Sequence, residues 1–545
     1  MTESTDRSTM RHLILALAAL ALGVTACEGC RSSQAPGTVV PAAAAGPPPT
    51  LRLYLATDVA GALEPCGCTR DQLGGLGHLG AWMKQNHVQA PASLFATSGP
   101  LFFMDEKLDA ERGDQDRAKA HAIALVLRGL EFAAFAPGTN DWADGSSGLT
   151  ALAEESGGAV LVGDLAPSPF ATSVVRDYGG LKIGLVGSGS PGPSASPSSP
   201  EEAVKRGVAD AKRQGANVLV ALAAVGRGEA KRIADAVPEL AAVVVGSSRT
   251  NGDGNTTAPQ VEEVGDVLIV QAANHLQSVA VLDLYLRESP VPGRLVKFAD
   301  ATGIELARER AELTAQIDDL HVKIAAWQRD PSIAPKDVEA RSSDLARLEA
   351  RRDTLDTRRP PERGSFFRYS IKEVRESFGI DPAIEADMRA YYKAVNDHNR
   401  AAFADRLPPP RAPGQAGYVG VETCSSCHAA ARQVWNGTPH AHAYATLSSQ
   451  FKEFNLECVG CHVTGYEKPG GSTVTHVDKL ENVECEVCHG PGSKHVSNPG
   501  DGTLIVAKPD ASTCLSCHHP PHVEGFDALA KMKEVLGPSH GMPAN

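Results

Sequence analysis

The sequence predicts a multidomain protein made of an α/β layered domain, an α-helical hairpin spacer and a small C-terminal domain that is mostly irregular or helical. Three observations predict it. From Leu51 to about Arg287, short runs rich in Val, Leu and Ala alternate with helix-like stretches. Between Ile304 and Arg359 the texture changes to Glu, Arg, Ala and Leu, with apolar residues at helical spacing. Eight of the 12 cysteines lie between Cys424 and Cys517, in four pairs of identical spacing. A chain of 545 residues has room for about three or four domains. Its 65 acidic and 52 basic side chains leave a net charge of -13, and the basic residues are scattered, so no nucleic acid is expected as a partner.

Leu13 to Val24 form an apolar run behind Arg7, Arg11 and His12, which fits a secretory segment and is too short to span a bilayer. Val24-Thr25-Ala26-Cys27 closes the run and resembles a bacterial lipobox, which implies cleavage before Cys27 and a lipid on its sulfur; a plain signal peptide is the alternative. Residues 1–27 are therefore read as a signal, and 28–50, rich in Pro, Ala, Gly and Ser, as a flexible tether. The folded body is expected in the periplasm, held by the lipid anchor to a bacterial membrane, with the outer membrane as the expected one.

Residues 51–288 carry the α/β pattern. LRLYLAT, SLFAT, FAAFA, AVLVG, LKIGLVG, NVLVALAA, AAVVVG and VLIVQAA read as strands, and 115–130, 200–214 and 227–236 as helices between them. From Ser278 to Leu286, Val279, Val281, Asp283 and Tyr285 alternate with Ala280, Leu282, Leu284 and Leu286, which predicts an edge or antiparallel strand.

Residues 303–407 hold the helices. Leu306, Leu313, Ile317, Leu320 and Ile324 share one helical face, Val338, Leu345, Leu348 and Leu355 another, and Asp330 to Pro335 breaks them apart. The pair reads as a spacer with a solvated charged face, or as an arm for homodimerisation through 304–359. A further helix near 383–403 runs into Pro408-Pro409-Pro410, and a boundary near Gly417 opens the last domain, 418–545.

That domain contains CSSCH (424–428), CVGCH (458–462), CEVCH (485–489) and CLSCH (514–518), each the attachment signature of c-type haem. With 18 His in 545 residues, four CxxC pairs all followed by His would arise by chance about once in a million. Two intervening residues let both sulfurs form thioethers to one porphyrin while the adjacent imidazole reaches its iron. Cys424, Cys427, Cys458, Cys461, Cys485, Cys488, Cys514 and Cys517 are thus the expected attachment points for four covalent haem c groups, with His428, His462, His489 and His518 as proximal ligands. The domain is too short to enclose four macrocycles in an ordinary apolar core, so the haems themselves are expected to form it.

YVGVETCSSCH, then WNGTPHAHAYATL, CVGCHVTGY, PGG, NVECEVCHGPGSKH and the final CLSCH resemble the multihaem cytochrome c-552/c-554 family across essentially all of 418–545. The resemblance implies periplasmic electron transfer with redox partner proteins. It also favours the histidines of HAHA and of CHGPGSKH as distal ligands. Of the spare histidines His440, His442, His476, His495, His519, His522 and His540, the expected distal ligands are therefore His440, His442, His495 and His540.

Residues 51–288, through their strand order, LRLYLATDVAG and GGLGHLGAWMK, resemble the metallophosphatase domain of the periplasmic nucleotidase family. That family holds two metals with Asp-x-His, Gly-Asp, Gly-Asn-His and Gly-His-x-His. Here Asp58 stands, but Ala60 replaces the first His, Gly99-Pro100 the Gly-Asp, Gly138-Thr139-Asn140-Asp141 lacks its His, and Gly246-Ser247-Ser248-Arg249 has no imidazole. A dinuclear site needs several O and N ligands around metals about 3.5–4 Å apart, so phosphoesterase activity is not expected and the domain is read as a docking module. Cys66 and Cys68, close after Asp58, are a candidate soft-metal or redox pair, or simply two thiols in a tight loop.

Together these readings describe a membrane-anchored tetrahaem electron carrier rather than an enzyme. The alternative is a redox enzyme acting on a small nitrogen or sulfur compound at a haem that lacks a distal ligand.

Overall fold

Alternation along the first strand, β1 (Leu51–Thr57), decides the layering. Leu51, Leu53 and Leu55 enter one apolar core, Tyr54 and Ala56 another, and all are buried, so this sheet is covered on both faces. The computed structural model describes residues 47–65, 72–163, 170–192, 199–251, 254–355, 361–520, 522–523, 525–536 and 540. Cys27 with the expected signal, residues 28–46 of the tether, and the pair Cys66 and Cys68 lie outside the described residues.

After β1 come α1 (Leu76–Asn86), β2 (Ser93–Ser98), α2 (Gly113–Arg128), β3 (Phe132–Ala136), α3 (Gly145–Ser156), β4 (Ala159–Leu161), β5 (Phe170–Ala171), β6 (Ser173–Tyr178) and β7 (Leu181–Ser188). The chain continues through α4 (Pro200–Arg213), β8 (Val218–Ala224), α5 (Arg227–Ala236), β9 (Ala242–Gly246), β10 (Glu262–Val264), β11 (Val267–Val270) and β12 (Ser278–Tyr285). Then follow β13 (Ala299–Asp300), α6 (Ile304–Trp327), α7 (Pro335–Thr354), β14 (Phe366–Glu373) and α8 (Pro382–Ala402). Starts are set locally: Ser199 accepts the N–H of Glu202 ahead of Pro200 in α4, and Asp381 accepts those of Ala383 and Ile384 ahead of Pro382 in α8.

Two sheets stack. One runs β13-β14-β12-β1-β2-β3-β4-β5, the other β10-β11-β9-β8-β7-β6. Leu94, Ala134, Leu282 and Phe367 of the first meet Ile183, Val220, Leu222 and Val244 of the second. Outside them, Ile123 and Leu127 of α2, Leu79 of α1 and Tyr391 of α8 cover the first sheet, and Val204 of α4 and Ile233 of α5 cover the second. The result is a four-layer α/β/β/α body.

The body does not end at 288. β12 is antiparallel as its alternation predicts, yet it is interior, because β14 pairs with it from Ser278↔Glu373 to Tyr285↔Phe366. The hairpin α6–α7 is therefore an insertion between β13 and β14, and α8 belongs to the body. Leu313, Ile317 and Ile324 of α6 are buried, whereas no residue of α7 is.

Beyond Gly417 the chain forms short helical turns, including Val421–Ser425, Val459–His462, Cys485–His489, Ser493–Ser497 and Ala511–Ser516. Among the described residues its apolar core is Val459, Val463 and Val474, with partly buried Phe403, Tyr444, Phe454, Leu456, Tyr466 and Val477 around them. That is too little to organise a region of this length. No helix of the described residues is long and apolar enough to cross a membrane.

Candidate functional site

Buried carboxylates stitch the first attachment motif to the third. Glu486 accepts the N–H groups of Gly420 at 2.8 Å, Val419 at 3.0 Å and Gly492 at 2.7 Å. Glu484 accepts that of Val421 at 3.0 Å, and burial pushes its carboxyl up to about 8. Gly420 turns the chain at φ 82°, where a Cβ would stand 2.9 Å from the carbonyl oxygen of Lys479. Cys424 thereby lies beside Cys485. In the same way Cys517 lies beside Cys461, and Cys488 is near Cys514 and Cys517. The motifs thus neighbour one another in the order first, third, fourth, second.

Three of the four motif histidines face a second imidazole. His428 and His495 have ring centres 6.4 Å apart, His440 and His518 6.2 Å, and His489 and His540 6.3 Å. A metal–imidazole bond of about 2 Å on each side, with roughly 1 Å from each nitrogen to its ring centre, separates two trans ligands by about 6 Å. Nδ1 of His495 and of His540 are buried without a hydrogen-bond partner among the described residues. Rings at this spacing, with nitrogens lacking a protein partner, fit a haem iron held between them.

Local contacts explain the placement. Gly417 donates to Ser493 Oγ at 2.8 Å and Ser493 returns its N–H to Gly417, which brings the turn holding His495 over the first motif. Trp435 Nε1 donates to Val483 O at 2.8 Å and Val483 donates to His440 O, which carries His440 into the interior. Nδ1–H of His489 donates to Val506 O at 2.7 Å, and that of His462 to Ala443 O at 2.6 Å. A carbonyl only accepts, so both rings carry their proton on Nδ1 and leave Nε2 as the ligating atom.

Among the described residues no imidazole faces His462 at such a distance. His442, expected as a distal ligand, is exposed: the turn Pro439–His442 sends its two histidines to different sides, and only His440 reaches a motif ring. His476 contacts Thr475 Oγ1, and Nδ1 of His519 donates to Pro520 O.

The second motif packs on the α/β body. Asn396 of α8 donates to Glu453 and accepts the N–H of Phe454, while Asn399 donates to Phe454 O and to Gln115 of α2. Gln115 in turn donates to Asn455 and accepts the N–H of Leu456. Lys119 of α2 pairs with Glu457 at 2.6 Å, with side chains only 12% and 26% exposed. Burial opposes both charges, yet each partner keeps the other ionised, holding Lys119 above and Glu457 below its ordinary range. The nitrogen of Lys452 sits 4.3 Å above the ring of Tyr392. These contacts were not legible in the sequence, since no local pattern marks residues that meet across 55 to 341 positions.

At the strand ends of the body, the polar residues that remain from the metal motifs bond to the protein itself. Asp58 accepts the N–H of Ser247 at 2.6 Å and its hydroxyl at 3.2 Å. Asp141, fully buried, accepts the N–H groups of Leu101, Phe102 and Gly138, and burial pushes its carboxyl up to about 7. Asn140 donates to Met104 O and Thr250 O and accepts the N–H of Thr250. A Cβ on Gly99 would stand 2.1 Å from Asp58 Oδ1. Among the described residues no group of three or more His, Cys, Asp or Glu side chains is placed to hold a bare metal ion.

The α/β body is similar in fold to several solved structures. They include sulfate thiohydrolase SoxB of Thermus thermophilus (16% identical, TM-score 0.37, 45% of this chain and 55% of that one). The 5'-nucleotidase precursor of the same organism is 21% identical, with a TM-score of 0.34 over 43% and 51%. The calcineurin-like phosphoesterase YfkN of Bacillus subtilis is 16% identical, with a TM-score of 0.35 over 45% and 86%. Residues 423–490 match the family described as cytochrome c554 and c-prime. Cytochrome c-554 of Nitrosomonas europaea is 38% identical over 93 residues, which cover 14% of this chain and 40% of that protein's length. Motif, ring geometry and family match agree: the C-terminal part of this chain is a c-type cytochrome domain of the cytochrome c554 family.

Proposed function

We propose that this chain is a periplasmic cytochrome that transfers electrons through four covalently attached haem groups and is held to a membrane by a lipid on Cys27. The observation that supports it most is the set of three facing imidazole pairs, 6.2–6.4 Å between ring centres. When bound, each haem supplies an iron that exchanges single electrons. The four cysteine pairs tether the groups. His428 with His495, His489 with His540, and His518 with His440 would each hold one haem iron between two imidazoles, a ligand set suited to electron transfer rather than to binding substrate. The motif order provides a path whose first-motif end, at exposed Cys427 and His428, is open to redox partner proteins. Its other end is covered by the α/β body, which serves docking and not hydrolysis.

Absorption and electron paramagnetic spectroscopy of the full-length holoprotein test this. Four haems per chain are expected, three low-spin and one high-spin. Fewer than four, or none low-spin, would reject the reading.

A second reading is favoured by His462. Among the described residues no imidazole faces His462, so a haem held there would leave room for a small molecule, which supports redox chemistry on a small nitrogen or sulfur compound at that site. A change in the absorption spectrum of the reduced protein on adding carbon monoxide is the expected sign. An unchanged spectrum would reject this second reading.

A further inference from the structure

His518, the histidine of the fourth motif, is steered differently from its counterparts in the second and third. The last torsion of a histidine is broad, so a bond to iron fixes where the ring sits but leaves it free to turn about the metal–nitrogen axis. For His462 and His489 a backbone carbonyl, of Ala443 and of Val506, stops that rotation. Among the described residues nothing accepts a hydrogen bond from the His518 ring. An aromatic ring holds it instead: Phe526 lies on its face, with ring centres 4.3 Å apart and planes 7° from parallel.

Local structure puts Phe526 there. His522 and Val523 donate their N–H groups to His519 O, which folds the chain back directly after the motif, and Val523 is buried. Gly525 turns the chain at φ 61°. The side chain of Asp527 accepts the N–H of Ala530 at 3.0 Å at the start of the helix Ala528–Leu536. Phe526 stands between that turn and that cap, so its backbone is fixed on both sides.

The ring that Phe526 holds is also the one most rotated against its partner. His428 and His495 are 26° from parallel and His489 and His540 28°, whereas His440 and His518 are at 44°. In an iron with two axial imidazoles, the angle between their planes sets the splitting of the d orbitals that carry the transferred electron. Parallel planes split them widely; crossed planes narrow the gap and raise the largest g value of the oxidised iron.

We infer that Phe526 is a positioning residue for the haem of the fourth motif: by stacking on His518 it fixes the plane of that ligand against His440 and gives this haem an electronic state unlike that of the other two paired ones. It rests on the reading that His440 and His518 share one iron.

Paramagnetic resonance of the oxidised full-length holoprotein tests it, with His440→Ala identifying the signal of this haem. That signal is expected to have the largest g value of the three low-spin signals. Phe526→Leu removes the flat face at a half-buried position and leaves every ligand and cysteine in place; the signal is expected to move and broaden while the other two stay. Phe526→Tyr keeps the face and is expected to keep the signal. An unmoved signal in Phe526→Leu overturns the role, as does a signal that moves as far in Phe526→Tyr. A shift of all three signals together makes Phe526 a general packing residue and overturns it too, and so does a signal for this haem that lies below the other two. If His440→Ala removes no low-spin signal, the ligand pairing itself fails and the inference with it.

Discussion

Lys119, on a helix of the α/β body, pairs at 2.6 Å with Glu457, the residue that immediately precedes the first cysteine of the second haem motif. A pair this sheltered holds only while both charges are present. Lys119→Met would leave Glu457 buried and unpaired, at about 3–5 kcal/mol. Denaturant unfolding should register that loss, and hydrogen exchange should rise across 451–458. Lys119→Met combined with Glu457→Gln is expected to recover most of the stability; a double variant no better than the single one would show that the pair is not the clamp.

The ring pairs predict which histidines control spin state. His495→Ala, His440→Ala and His540→Ala should each convert one low-spin haem to high-spin, seen in the paramagnetic resonance spectrum. His442→Ala should convert none, because its side chain is exposed. A loss of low-spin signal in His442→Ala would contradict the pairing.

Asp141→Ala would leave three buried N–H donors, of Leu101, Phe102 and Gly138, without their acceptor. At about 1–3 kcal/mol for each unsatisfied group, a loss of about 3 kcal/mol or more is expected in thermal unfolding. A silent substitution would mean that this carboxylate is not the local anchor.

Asp381 links helix docking to pH. The bond from Lys84 at 2.8 Å, helped by the N–H groups of Ala383 and Ile384, holds its carboxyl below the ordinary range. A depressed folded value means stability that is present above the ordinary carboxylate value of about 4 and is lost as pH falls through the folded one. Wild type should therefore exceed Asp381→Asn in stability at neutral pH, with the gap closing below about pH 4. Asp381→Ala should cost about 1 kcal/mol through loss of the helix cap alone. A gap independent of pH would remove the charge from the explanation.

What the sequence by itself determined is what short-range chemistry encodes. Two residues between cysteines and a histidine directly after are a covalent requirement of haem attachment, so the four motifs stand in the sequence complete. The apolar strands such as Leu51–Thr57 and Val218–Ala224 and helices such as Pro200–Arg213 follow from apolar periodicity and caps within a few residues, whereas the short or polar strands Phe170–Ala171, Ser173–Tyr178 and Glu262–Val264 carry no such run. The replaced metal motifs are also local, as Ala60 and Asp141 show where histidines would stand.

Only the tertiary structure decided which distant residues meet. Phe366–Glu373 extends the first sheet because Ser278–Tyr285 still had an open edge, and no pattern within the strand announces a partner beyond a two-helix insertion. The choice of His440 over its neighbour His442 depends on how one helical turn is tied to Val483. Lys119 finds Glu457 from 338 residues away, and Asn396 and Asn399 meet 453–454 only because α8 packs against that segment. Side chains separated this far along the chain acquire their role from packing, which periodicity and spacing do not record.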